Sequence, residues 1–162
     1  PLEGEWTLIR NKGERTGKVL TTVFPDTGMD TIKINATYTL RKGSPHFTAN
    51  FGEGWANNEG SHIWTTSDTA SVVVNSVIDN AITSLNLEYW PLDNNNNLSV
   101  YLNGIKIQDC DNNSSCIINN MTLIKGENVI EFKSKLPPEP AGNGDTRNLD
   151  YAFRSIKFEE VD

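Results

Sequence analysis

The sequence is poor in the residues from which catalytic and metal centres are built. Two histidines and two cysteines are present among 162 residues. His46 and His62 stand sixteen positions apart and lack the further ligands that zinc requires, which leaves them as exposed loop histidines. No serine lies in a Gly-x-Ser-x-Gly setting, no phosphate-cradling loop is present, and neither histidine sits in a nucleophile–base motif. No run approaches the ~20 apolar residues of a membrane helix, so no direct membrane insertion is expected of this chain. Basic residues are also scarce, 14 Lys and Arg against 21 Asp and Glu for a net charge of −7. They are scattered rather than gathered on one face, which argues against a nucleic-acid partner. A sustained helical period is missing throughout.

What the chain does hold is strand signal. Ile32, Ile34, Ala36, Tyr38 and Leu40 alternate with polar neighbours from Thr31 to Leu40, putting one set on a core and the other in water. Trp6 to Arg10, Val19 to Phe24, Ser71 to Ile78 and Ala81 to Trp90 read as further strands. In the last of these, Leu85, Leu87 and Tyr89 share one face while Asn86, Glu88 and Trp90 share the other. Asp93 to Asn97 is a polar turn. Val100 to Gln108 reads as a hairpin closed by Asn103-Gly104, a pair suited to a type I′ turn because both residues tolerate positive φ. Lys125 to Asn128 turns into a strand over Val129 to Phe132. Leu149, Tyr151 and Phe153 alternate, but Ile156 and Phe158 have the opposite parity. A β-bulge near Arg154–Ser155 would bring both sets to one core.

Two stretches break the pattern. Lys42 to Asp68, with five glycine or proline residues, two histidines and two tryptophans, reads as a long irregular segment of the kind that carries function. Pro137, Pro138 and Pro140 predict a stiff exposed loop. Together these features predict one all-β domain over residues 1–162. It would be an antiparallel, jelly-roll-like β-sandwich of about nine or ten strands with little or no helix. A chain of this length buries about 70% of its unfolded surface without staples.

Cys110 and Cys116 enclose five residues between two strands, an arrangement that suits a local disulfide better than a metal and points to an oxidising compartment. Asn35, Asn97, Asn112, Asn113 and Asn120 each head an Asn-x-Ser/Thr glycosylation motif. Both features predict an extracellular or cell-surface glycoprotein. Pro1 in place of Met predicts a processed form or an excised piece.

The segments GWANNEGSHIW (Gly54, Trp55, Glu59, Trp64), LSVYLNGIKI, KGENVIEFKS and GDTRNLDYAFRSIKF, in that order, carry a resemblance. They are similar to the extracytoplasmic β-sandwich domains of archaeal membrane-bound glycosyltransferases and related surface proteins. The resemblance runs from Gly54 onward and leaves the N-terminal residues outside. It implies a carbohydrate-binding-module-like or jelly-roll domain with an accessory, noncatalytic role. The chain departs from that pattern in having no membrane helices, no glycosyltransferase motif and an additional N-terminal hairpin.

Trp55, Trp64 and Trp90 are the candidate ligand-binding residues, because sugar C–H patches stack on aromatic faces while nearby amides and carboxylates take hydroxyls. Glu53, Asn57, Asn58, Glu59 and Asp68 flank the first two, and Glu59 and Asp68 are the candidate hydroxyl binders. The alternative is that the tryptophans pack the core or plug the sandwich end. Asp145 and Arg147 form a second candidate, either a ligand-gripping fork or a pair that ties a loop. Asp109, Asp111 and Asn113 alternate as a calcium-like oxygen run, but without a downstream bidentate Glu. A structural calcium therefore stays open and no other cofactor is expected. Glu53, Glu59, Asp68 and Glu88 offer acids, but nothing pairs two of them as glycoside hydrolysis requires, so no enzyme activity is expected. The reading is a noncatalytic module for glycan or cell-surface recognition. The alternative is a structural subunit of a surface layer or filament that self-associates through strand edges, with Trp6–Arg10 as a donor strand.

Overall fold

In the computed structural model, residues 20–23, 33–34 and 47–160 are described. They contain β-strands and turns and no helix. The fourteen strands are β1 (Leu20–Val23), β2 (Lys33–Ile34), β3 (Phe47–Phe51), β4 (Trp55–Asn58), β5 (Ile63–Thr65), β6 (Thr69–Ser76) and β7 (Ala81–Pro91), followed by β8 (Leu98–Leu102), β9 (Ile105–Asp109), β10 (Ser115–Leu123), β11 (Gly126–Ser134), β12 (Glu139–Gly142), β13 (Asp145–Leu149) and β14 (Tyr151–Glu160). The predicted strand Trp6–Arg10, most of Thr31–Leu40, Asn35 and His46 lie outside the described residues.

All pairings are antiparallel. One sheet runs β10-β7-β14-β5-β4, with β1 also on β14, and the other runs β2-β3-β6-β11-β8-β9. Within them, β5-β14-β7-β10 faces β6-β11-β8-β9, the interleaved order of a jelly roll made from two Greek keys. The fold is thus the all-β sandwich that the alternation predicts.

Alternation explains the core. β6 buries Ala70, Val72 and Val74, β7 buries Leu85, Leu87 and Tyr89, and β11 buries Ile130 and Phe132. Their intervening residues face outward, as a two-residue side-chain period demands. On β14 the register against β7 shifts between Phe153 and Ser155. This bulge lets Tyr151 and Phe153 share the core with Ile156 and Phe158 despite their opposite parity. Asn128, fully buried, closes the turn between β10 and β11. Its amide donates to Ile124 O (2.8 Å) and Gly126 O (3.1 Å), and its Oδ1 accepts from Ile124 N (2.9 Å). Buried backbone groups are satisfied there by a side chain instead of water.

The two stretches read as irregular are strands. Lys42–Asp68 carries β3, β4 and β5. Gly54 makes this possible: its φ is +92°, and a Cβ there would meet Thr69 O at 2.4 Å. The proline-rich stretch contains β12, paired with β13 in a two-stranded hairpin through an Asn143-Gly144 turn with φ of 51° and 85°, preceded by Gly142 at 80°. Pro140 is tolerated because this ribbon is all edge. Cys110 and Cys116 are disulfide-bonded, with their Cα atoms 5.4 Å apart.

Candidate functional site

The register of three neighbouring strands assembles an aromatic cluster on the solvent face of the first sheet. Ala152 on β14 pairs with Trp64 of β5 on one side and Trp90 of β7 on the other. Ala152 is completely covered, yet it lies outside the core cluster. Its small side chain leaves room for the two indoles to meet edge to face, with centroids 5.8 Å apart. His62, just before β5, completes the group at 5.0 Å from Trp90 and 6.0 Å from Trp64. Arg154, the bulged residue, holds its guanidinium 5.0 Å from the Trp90 ring centre, within cation–π range.

A chain of charges leads away from these rings. His62 Nε2 lies 3.6 Å from Glu59, whose other oxygen receives Arg147 Nη1 at 2.9 Å. Arg147 also donates from Nε and Nη2 to Asp145, the latter at 2.6 Å. The hairpin β12–β13 is thereby fastened to the β4–β5 turn. The Arg147 hydrogen bonds hold the Asp145 carboxyl down at about 2, and the two carboxylates push the guanidinium further up. Asp145 is therefore kept ionised, the reverse of what a general acid needs.

Placement separates the residues that the sequence grouped. Trp55 pairs with Thr65 and turns to the opposite face from Trp64. Its ring packs against Phe51 (4.8 Å), Phe153 (5.3 Å) and Phe132 (6.2 Å), and its Nε1–H donates to Ser71 O at 2.8 Å. Trp55 and Trp64 thus form no common platform, because consecutive residues of a strand point to opposite faces and the register sets Trp55 inward. Trp90 takes that place beside Trp64. Asp68 sits in the β5–β6 turn, where its carbonyl accepts from Ser134 N at 2.9 Å. It is not part of the aromatic cluster, whereas Glu59 is joined to it through His62. Asp145 and Arg147 belong to the same assembly, which reading them as a separate candidate missed.

Among the described residues, no group of three or more His, Cys, Asp and Glu side chains could hold a metal ion. Asp109 is occupied by Lys106 (2.8 Å) and Ser99 (2.6 Å), and these bonds lower its carboxyl. Asp150 is pushed the other way, up to about 6, by burial. It lies inside a polar node, accepting from Asn96 Nδ2 at 2.6 Å and from the Ser134 hydroxyl. Asn97, Asn112 and Asn120 are exposed, while Asn113 donates its amide to Asn94 O at 2.9 Å.

Fold and site together define an all-β jelly-roll sandwich with a half-exposed aromatic cluster on one outer face. No family model matches the sequence, and no curated protein does either. Among solved structures, a family 35 carbohydrate binding module from Clostridium thermocellum is 15% identical, with a TM-score of 0.44 over 85% of this chain and 96% of that one. A GH26-CBM35 β-(1,4)-mannanase from Podospora anserina is 16% identical with a TM-score of 0.43. The match covers 91% of this chain, which spans 28% of that enzyme's length. The CBM36-1 domain of a multidomain xylanase from the hindgut metagenome of Trinervitermes trinervoides scores 0.40 at 13% identity, over 87% of this chain and 95% of that domain. Scores below 0.5 transfer no residue roles, and the archaeal glycosyltransferase link finds no support among these structures.

Proposed function

We propose that the domain is a noncatalytic recognition module that binds glycan on the outer face of the sheet containing β7, β14 and β5. The observation that carries this reading is the cluster of Trp64, Trp90 and His62 around Ala152 on the outer face of the sheet, where β7 and β14 otherwise present mainly polar residues. Indole faces and edges suit the C–H patches of a pyranose. The pinned Glu59 carboxylate and the remaining N–H groups of Arg147 suit its hydroxyls. Trp90 and Trp64 are the contact residues, and Glu59 and Arg147 set the orientation.

An extracellular or cell-surface setting is consistent with the Cys110–Cys116 disulfide and with the Asn-x-Ser/Thr motifs headed by Asn35, Asn97, Asn112, Asn113 and Asn120. In such a setting the module would serve an accessory role beside a surface or glycosylation protein, the parentage that the sequence resemblance implies. Binding of the purified domain to a broad glycan array, with and without calcium, tests the reading. Specific binding should be lost in Trp64→Ala and Trp90→Ala. Retained binding in both variants, or a blank array, would refute it, and a calcium requirement would bring the acidic loops into the site.

A second reading, self-association into a surface layer or filament, is favoured by one observation. Ile105 and Ile117 are 71% and 56% exposed on β9 and β10, which form the ends of their sheets among the described residues. Concentration-dependent assembly abolished by Ile105→Lys would support it, and a monomer at every accessible concentration would exclude it.

A further inference from the structure

Further along β7 and β14 from the aromatic cluster lies a pocket of about 170 Å³, lined by Asn86, Glu88, Ser115, Ser155 and Lys157 together with Leu87 and Ile117. Strand register builds it. Ser115 on β10, Glu88 on β7 and Ser155 on β14 form one outward row, and Ile117, Asn86 and Lys157 form the next. The preceding outward row on the same strands is Trp90 and Ala152, with the bulged Arg154 between the two. Bulges commonly re-aim side chains in this way.

One group in the pocket is out of balance. Ser155 is 7% exposed, and its Oγ has no hydrogen-bond partner. Leaving a buried hydroxyl unpaired costs roughly 1–3 kcal/mol, and such groups are matched by water or ligand. The pocket is roomy enough for water, and it presents acceptors (Glu88, the Asn86 carbonyl), donors (Lys157, the Asn86 amide) and two hydroxyls. That mixture matches the hydroxyls of an uncharged sugar, each of which donates and accepts.

We infer that the pocket is a second sugar subsite, and that the ligand is an uncharged oligosaccharide lying along β7 and β14. Trp90 and Trp64 hold one unit, and Ser155, Glu88 and Asn86 take the hydroxyls of the next units along the chain. From Trp90 to Asn86 the track is about 13 Å at ~3.3 Å per residue, enough for a short oligosaccharide and too long for a single pyranose. The inference rests on the glycan-binding reading above and adds the length and charge class of the ligand.

The test is calorimetric titration of the folded domain with the methyl glycosides of glucose, mannose, xylose and N-acetylglucosamine and with the corresponding di-, tri- and tetrasaccharides. Affinity should rise at least ~tenfold from monosaccharide to tri- or tetrasaccharide in one series. Ser155→Val, which removes the unpaired hydroxyl and narrows the pocket, and the milder Glu88→Gln should erase most of that gain while leaving monosaccharide binding unchanged. Backbone amide shifts at Glu88, Ser115 and Ser155 on adding the longer ligand provide a readout that does not depend on the variants. Binding that is independent of chain length and indifferent to both substitutions would overturn the subsite and leave the aromatic platform standing. Absence of binding to every saccharide, with wild-type folding intact, would overturn both.

Discussion

Two aromatic clusters lie back to back across one sheet, and their difference is instructive. On the inner face, Trp55, itself half-buried, packs against Phe51, Phe132 and Phe153, and its single polar atom is satisfied by the Ser71 carbonyl. On the outer face, Trp64, Trp90 and His62 stay partly in water and are bordered by Arg154, Glu59 and Arg147. Both are built around tryptophan, so what separates packing from recognition is parity within a strand and the company each indole keeps. A ring whose faces lie on core phenylalanines and whose N–H is already bonded has little left to offer a ligand, even with an edge in water. A ring edged by oriented charges has both apolar face and polar direction available.

Removing one member of each cluster breaks the comparison most sharply. Trp55→Ala should cost about 3–5 kcal/mol of stability through the cavity it leaves, read by chemical denaturation. Trp64→Ala should cost far less stability, under ~2 kcal/mol, while abolishing glycan binding. Equal destabilisation by both would mean that the outer cluster is a second core.

Reducing the Cys110–Cys116 bond, which closes a short loop, should cost about 2 kcal/mol. Monosaccharide binding at Trp64 and Trp90 should be untouched, while the gain with longer oligosaccharides should shrink, because Ser115 of that loop pairs with Glu88 and lines the pocket beside it. Loss of monosaccharide binding on reduction would enlarge the site.

A still smaller effect concerns pH. Burial raises Asp150 from 3.8 to about 6, so the folded state holds an extra proton between these values. Its contribution is therefore full below 3.8 and fades as pH rises through about 6. Unfolding free energy should be larger at pH 5 than at pH 7.5 by an amount on the order of 1–2 kcal/mol, read as a higher unfolding temperature, and Asp150→Asn should flatten that difference. A stability profile rising over this interval would contradict the placement of Asp150 in the node with Asn96 and Ser134.

The smallest expected change comes from Glu59→Gln. It weakens the link between Arg147 and His62 and should lower glycan affinity by a few-fold, as one charged hydrogen bond allows. An unchanged affinity would make Glu59 a loop tie alone.

Much of the architecture was legible because it follows from local rules. The parity switch between Phe153 and Ile156 located the β14 bulge, and Asn103-Gly104 located the β8–β9 turn. The same Asn-Gly signal at Asn143-Gly144 was present but masked by three nearby prolines, so the β12–β13 hairpin read as a loop. The site was less legible for a physical reason. Trp55 and Trp64 are separated by the β4–β5 turn, and the face each takes depends on a register that shifts between Trp55 and Asn58. Trp90's outward face was readable from alternation with Leu87 and Tyr89. Its meeting with Trp64 was not, because the two strands touch only through Ala152 of β14, more than sixty residues along the chain from Trp90.

The central claim is that glycan meets the outer cluster and not the inner one. The most direct measurement follows the indole N–H resonances of the four tryptophans by NMR during titration with the best array ligand. The Trp64 and Trp90 signals should move with the ligand while that of Trp55 stays in place. Movement of the Trp55 signal with Trp64 and Trp90 unchanged would contradict the account.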